Sequence, residues 1–451
     1  MSTDAIAAIA GWTSRLQLDD VPAEALALAK RAFLDTLGVT LSGSRLESAR
    51  IVADLARDQS PIGGSSSVIG RGRKASPLDA ALANGTAAHA ELFDDNNGPM
   101  ISHPSAPLVS ALLPLGQARA LAGSDALLAY VVGFEVGVSL GRRLNPELYG
   151  AGWHVTRVLG VLGAAAACSR LLGLDARRTG DALGIAASMA SGIRQNFGTM
   201  TMALHAGLTA RDGVHAALLA QAGFRADPEA LDGRYGFFNL FAGKAPGDLP
   251  LGETFELLTS GIIFKPYPSG APTHAAVDAA IALRKAIGDD LARIERIRCR
   301  VHPWNFMTLR EGMPDDTLRA RVSLRFCVAA ALRYGELASR QFDEASLRDP
   351  ILRRMMEMVE IEQADDLPDN GLFPGEVRIA LRGGTELSER RDIPPGAPGR
   401  LWSDADAKAK FHSCAQGVIL DERADQAIGM IEGLDRLSVI GDLCEVLEGP
   451  A

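Results

Sequence analysis

Ser76-Pro77-Leu78-Asp79-Ala80-Ala81-Leu82-Ala83-Asn84-Gly85-Thr86-Ala87-Ala88-His89 is the stretch on which the reading of the fold turns. Ser76 and Asp79, three residues apart, form a capping box, in which side chains satisfy the backbone N–H groups left open at a helix start. The alanines behind it predict a helix running to His89. The same texture continues on both sides. Met1 to Trp12 reads as the start of a helix, and Pro22 opens another in which Leu26, Ala29, Phe33, Leu34 and Leu37 recur at core-facing spacing until Gly38. Pro61 to Ser67 is a Gly/Ser loop leading into a short Val68-Ile69 strand. Further helices are expected over 107–121, 125–140, 156–172, 176–190, 202–222 and 253–258.

Beyond Pro266-Tyr267-Pro268-Ser269-Gly270 the pattern changes. A helix over 273–287 precedes Ile294–Val301, where β-branched and charged residues alternate as in a half-buried strand. A helix over 318–332 and strands over 358–363 and 376–381 complete an α+β unit. After the Pro/Gly-rich linker 393–399, helices return over 403–414, 422–432 and 435–447. The expected fold is mainly α: a helical domain over 1–265, a smaller inserted α+β lid over 266–398, and C-terminal helices over 399–451 that rejoin the first domain.

Composition agrees. The 451 residues are 47% hydrophobic and 22% charged, the balance of a globular chain, and aromatics are only 5%, so the core must be built from Ala, Leu, Val and Ile. A net charge of −9 and a pI near 5.5 argue against a nucleic-acid partner. The N-terminus lacks a basic signal-peptide region, and the apolar stretch 126–140 is shorter than the roughly 20 residues of a membrane span. A cytoplasmic protein without a membrane partner is expected. The five cysteines are far apart, with neither a C-x-x-C pair nor an H-E-x-x-H motif, so buried thiols and no metal or other cofactor are expected.

Four of the eight histidines lie at loop-to-helix junctions. His103 follows the polar loop Asp94-Asp95-Asn96-Asn97-Gly98. His154 lies in Gly152-Trp153-His154-Val155-Thr156, where Trp153 could wall the imidazole off from water. His205 ends a Gly/Thr-rich run, and His274 begins the α+β unit. Histidine suits acid/base work because its pKa lies near working pH. Arg142, Arg143, Arg157, Arg194, Arg211 and Lys265 are candidate carboxylate binders, with Arg194 and Lys265 favoured by their place beside these segments. Gly70-Arg71-Gly72-Arg73-Lys74 lacks the full phosphate-loop pattern and reads as a surface turn.

Taken together, Ala83-Asn84-Gly85-Thr86-Ala87-Ala88-His89-Ala90, Asp94-Asp95, His103-Pro104, Gly152-Trp153-His154-x-Thr156, Asn196-Phe197-Gly198-Thr199-Met200, Lys265-Pro266-Tyr267-Pro268-Ser269 and Thr273-His274 resemble the MmgE/PrpD family over nearly the whole chain. That family includes 2-methylcitrate dehydratase, cis-aconitate decarboxylase and iminodisuccinate epimerase. The resemblance implies a metal-free enzyme acting on a small polycarboxylate, a site between the helical domain and the lid, and a homodimer. It implies catalytic roles for His103, His154, Asp94, Asp95 and His274, and substrate binding by Lys265, Arg194, Thr199, Ser269 and the position of Met202. Leu92, Met202 and Gly270 stand where members commonly have Asp, Lys and Cys. Dehydration is the first expectation. Decarboxylation, epimerisation at a carbon next to a carboxylate, or a weakened homologue that only binds a polycarboxylate are the alternatives.

Overall fold

The computed structural model describes residues 5–59, 63–244, 247–309 and 312–449; the first residues of the expected N-terminal helix and of the 61–67 loop lie outside them. The structure is mainly helical. It divides into two compact units, one taking the chain up to Ala90, Asp94–Ile262 and everything from Ser403 on, the other Glu91–Phe93 and Ile263–Trp402.

In the first unit, Ser76 accepts a hydrogen bond from the Asp79 N–H at 3.1 Å and starts helix Pro77–His89, as its capping box requires. Around it lie helices Ala23–Gly43, Ser105–Ala118, Gly123–Leu144, Gly160–Leu171, Ala176–Met189 and Met200–Gln221. The expected helix over 156–172 is two, Val155–Val158 and Gly160–Leu171. Gly123–Leu144 is longer than the apolar stretch suggested and is long and apolar enough to cross a membrane, but 89% of its most apolar window is buried within the protein. Alanine supplies much of the core, with Phe33, Tyr130 and Phe134 at its centre. Three fully buried alanines, Ala88, Ala106 and Ala206, pack together, each next in sequence to a polar residue discussed below.

Two of these helices meet backbone to backbone. A Cβ on Gly85 would fall 2.8 Å from Gly207 Cα, and one on Gly207 would fall 2.3 Å from the Leu82 carbonyl oxygen. Only glycine at both positions lets helices Pro77–His89 and Met200–Gln221 come this close, and the histidines of both helices lie near His154, with ring centres 5.9 and 5.1 Å from its own.

In the second unit, four strands lie in the order Val359–Gln363, Ile294–Val301, Gly375–Leu381, Glu386–Arg391; the first pair is parallel and the others antiparallel. The parallel pair needs a long crossover, supplied by the helices between Pro303 and Met358. Helices His274–Ile287 and Leu324–Tyr334 contribute to its core with Val277, Leu283, Phe326 and Leu332, against Ile297, Val301, Val377 and Ile379 from the sheet. Glu386–Arg391 was not expected as a strand: it is an edge whose residues alternate between exposed and half-buried, so it carries little apolar pattern.

Candidate active site

Helix Pro77–His89 ends on a histidine whose Nδ1 lies 2.9 Å from Asp94 Oδ2, with both side chains fully buried. His103 reaches the same carboxylate from the other end of the loop, its Nδ1 3.3 Å from Asp94 Oδ2 and 2.9 Å from the Asp95 carbonyl oxygen. The two imidazoles meet edge to face at 4.5 Å. His103 is the accessible member, with 15% of its side chain exposed against none of His89.

The loop is rigid for identifiable reasons. Asn97 pairs with Ser102 across it, accepts the Met100 N–H through its side-chain oxygen, and donates to Ser260 Oγ and the Gly261 carbonyl. Thr156 Oγ1 receives both the His103 N–H and the Ser102 hydroxyl at 3.2 Å, while its carbonyl accepts from Thr209, which also bonds the His205 carbonyl. One threonine thus ties together the segments carrying His103, His154 and His205.

His154 precedes helix Val155–Val158, with its N–H donating to the Gly192 carbonyl. Its ring lies 5.9 Å from that of His89, and its Nδ1 is 2.8 Å from Nδ1 of His205. Burial, reinforced by the surrounding histidines, pushes the His154 imidazole well below its ordinary pKa. Burial together with His89 and Arg157 takes His205 to about 4. Both rings are therefore neutral near pH 7, and a Nδ1 to Nδ1 hydrogen bond between neutral imidazoles requires opposite tautomers. Phe197 packs edge-on against His154 at 4.8 Å; Trp153, expected in that place, pairs instead with Phe241.

The two aspartates do different things. Burial would raise Asp94, but the charges and hydrogen bonds of His89 and His103 outweigh it and hold its carboxyl well below the usual range. Asp95 turns away into the core, bonded to the N–H and hydroxyl of Ser105, which in turn meets Tyr130 Oη at 2.7 Å. Burial, with Asp35 and Asp94 adding repulsion against the Ser105 hydrogen bonds, pushes its carboxyl up to about 8. Asp95 is thus a neutral prop beneath the loop.

Most of the candidate cations are held by protein partners. Arg142 forks onto Glu256, and Arg157 and Arg211 share Asp212. Arg194 stacks over Tyr149, 3.7 Å from the ring centre, and bonds its carbonyl. Thr199, half-buried, bonds the Asn196 carbonyl just before helix Met200–Gln221, and Met202 is buried one turn ahead of His205 on the same face of that helix. Lys265, Ser269 and His274 belong to the second unit and are fully buried there. Lys265 Nζ donates to the Leu92 carbonyl at 2.8 Å, Ser269 Oγ meets Thr273 Oγ1 at 2.9 Å, and His274 Nε2 lies 3.1 Å from the Ser269 carbonyl.

His89 and His205 complete the cluster: His205 was singled out in the sequence, though given no role, and lies within helix Met200–Gln221 rather than at its start, while His89 was not singled out. His89 reads there as a helix terminus, and its signal was the acidic loop five residues on. The ligand atoms of His89, Asp94 and His103 lie within 4.8 Å of one another, so these three could hold a cation, in a spacing unlike any zinc motif.

Sequence models of the MmgE/PrpD N-terminal and C-terminal domains match residues 7–249 and 267–436. The chain belongs to the MmgE/PrpD family. Among its relatives, the cis-aconitate decarboxylase of Mus musculus is 31% identical, over 98% of this chain and 93% of that protein. The human cis-aconitate decarboxylase is also 31% identical, over 94% and 90%, and that of Aspergillus terreus is 28% identical, over 98% and 95%. Within this family framework, the segments quoted for the resemblance provide the histidine cluster of the first unit and the Lys265–His274 cluster of the second.

Proposed function

We propose that this MmgE/PrpD member is a metal-independent carbon–carbon lyase that decarboxylates a small unsaturated polycarboxylate. The observation that carries the reading is the shared carboxylate: one buried anionic Asp94 facing two imidazoles, of which only His103 has exposed side-chain surface. An imidazolium stabilised by such a carboxylate is a proton source positioned at a surface that a substrate can reach. The names of the relatives move the weight from dehydration, the first expectation, to decarboxylation.

In such a reaction the bond from carbon to one carboxylate breaks, CO₂ leaves, and the electron pair delocalises onto the remaining unsaturated acid. A proton returned to carbon completes the product. His103 delivers that proton, while Asp94 holds the imidazolium and His89 fixes the carboxylate from behind. His154 can accept a proton at Nε2 while passing one from Nδ1 to His205, which keeps the second imidazole available as a base. No step in this scheme needs a Lewis acid. His89 and His103 both address Asp94 Oδ2, while Asp94 Oδ1 and His89 Nε2 are buried without a hydrogen-bond partner among the described residues, so the metal content must be measured alongside the activity.

Incubation with cis-aconitate and related tricarboxylates, followed by proton NMR and CO₂ release, tests the reading. Stoichiometric CO₂ with a decarboxylated product is expected, undiminished after chelation and with substoichiometric metal by elemental analysis. Water loss from a hydroxy acid without CO₂, or activity that disappears on chelation and returns with a metal, would overturn it.

A further inference from the structure

Away from the histidines, the first unit contains a cavity of about 570 Å³ lined by Arg45, Arg57, Arg71 and Arg73, with Asp54 as the one acidic residue among the described residues of its lining. Four guanidiniums against Asp54 in the lining and Asp58 beside Arg57 is a local excess of cation in a chain whose net charge is −9. Asp54 lies 3.0 Å from Arg73, 3.6 Å from Arg57 and 3.9 Å from Arg71; Arg57 is also paired with Asp58 at 3.0 Å and Arg45 donates to the Gln416 carbonyl, so Arg71 and Arg73 are the pair that depends on Asp54 for counter-charge. Arg71 and Arg73 are largely covered, with side chains 24% and 17% exposed, and the Nε–H group of each is buried without a hydrogen-bond partner among the described residues. Burial, and next the charge of Arg73, lower the pKa of Arg71, the mark of a cation short of counter-charge.

The arginines are displayed by a built turn. Ser66–Val68 and Arg73–Ala75 form an antiparallel pair, and Gly70 and Gly72 between them have φ of +70° and +55°. A Cβ on Gly70 would fall 2.5 Å from Ser44 Oγ, so the turn sits against the end of helix Ala23–Gly43 in a place only glycine can occupy. The Gly70 and Gly72 N–H groups donate to the Leu447 and Glu448 carbonyls, and Asn84 clamps the hairpin through the Ile69 N–H and the Ser67 carbonyl. The stretch read in sequence as a plain surface turn does lack a phosphate loop, because its glycine amides are already used. Its side chains carry the charge instead.

From this geometry we infer a second ligand site on this protein, specific for small phosphoryl anions. A planar carboxylate is saturated by one guanidinium fork, whereas a tetrahedral phosphoryl group presents oxygens to several arginines at once. The cavity has the size of small-molecule sites, and among the described residues no aromatic side chain lines it on which a nucleobase could stack. The ligand is therefore inorganic pyrophosphate or a phosphorylated metabolite without a base.

Titration calorimetry of the full chain at fixed ionic strength, with inorganic pyrophosphate, a sugar bisphosphate and citrate as probes, tests the site. One saturable phosphoryl site per chain is expected, with Arg71→Ala and Arg73→Ala each weakening binding about tenfold or more, the effect of losing a charge-assisted hydrogen bond. Tighter binding of the bisphosphate identifies an organic ligand, and tighter binding of pyrophosphate an inorganic one. Arg45→Ala and Arg57→Ala, at more exposed positions, keep the test decisive should the other variants misfold, and turnover without phosphoryl ligand is expected to be unchanged in both. Binding indifferent to all four substitutions, citrate binding as tightly as the phosphoryl probes, or pyrophosphate competing with the substrate of the histidine site would each overturn the inference.

Discussion

At the scale of single residues, the candidate site rests on which imidazole meets solvent and which is buried. His103→Ala and His154→Ala should each lower turnover by about 10²–10⁴-fold, the usual contribution of a general acid or base, with circular dichroism unchanged. Asp94→Asn should also lower turnover and move the alkaline limb of the pH–rate profile to lower pH, because the charge that holds the His103 imidazolium is gone. Unchanged rates in the His103 variant would remove it from the mechanism. Met202 asks a different question, since a thioether stands where the family commonly has lysine. A lysine there would offer a substrate carboxylate a charge-assisted hydrogen bond of about 1.5–3 kcal/mol. If the natural substrate places an apolar group or one carboxylate fewer at this point, Met202→Lys should gain on tricarboxylates and lose on that substrate, because a buried unpaired ammonium is costly. An unchanged specificity across a panel of acids would place Met202 outside the substrate's reach. The sequence made His103 and His154 legible because each interrupts a helical run beside glycine, proline or acidic residues. It singled out His205 without giving it a role, and left His89 illegible as a site residue because it closes a helix, where only the packing of Ala88, Ala106 and Ala206 shows which way the helices face.

At the scale of elements, the glycine contact between helices Pro77–His89 and Met200–Gln221 links fold to site. Gly207→Ala would place a methyl against the Leu82 carbonyl and Thr86, and overpacking of this kind typically costs about 1–3 kcal/mol. The variant should melt several degrees lower and lose activity by more than its stability explains, since forcing the helices apart shifts His89 and His205 relative to His154 between them. Equal activity per folded molecule would show that the spacing is not catalytic. Helix starts were readable where a cap is local, as at Ser76, which accepts the expected backbone N–H; Ser403 caps its helix in the same way. The break at Leu159 was not readable: it lies where the Thr156 carbonyl accepts from Thr209 of another helix, a contact with no local sequence signature.

For the molecule as a whole, the mainly α class was legible from alanine-rich periodicity, whereas its behaviour with pH follows from burial that sequence cannot display. The family resemblance leads us to propose a homodimer, and light scattering should then report twice 47.6 kDa at micromolar concentration; a monomer would refute it. The pH dependence of stability is a sharper expectation. Two buried carboxyls are raised, Asp95 to about 8 and Glu135 to about 7, by burial first, against the hydrogen bonds each accepts. Such groups favour the folded state fully below their unfolded pKa, and that contribution is lost as pH rises through 7 and 8. His154 and His205, pushed down by burial, act in the opposite sense: the unfolded chain takes up their protons as pH falls below the ordinary histidine value. Between about pH 4.5 and 6.5 the two effects offset each other, so stability should be nearly flat there. Above that window only the carboxyls titrate, and stability should fall by up to about 1.4 kcal/mol per pH unit for each proton released. Asp95→Asn reproduces the neutral side chain, with an oxygen for the Ser105 N–H and a donor for its hydroxyl, so it should flatten the alkaline fall without lowering stability at pH 6. Urea denaturation of both proteins from pH 5 to 9 measures this directly, and parallel curves would mean that Asp95 is ionised in the folded protein.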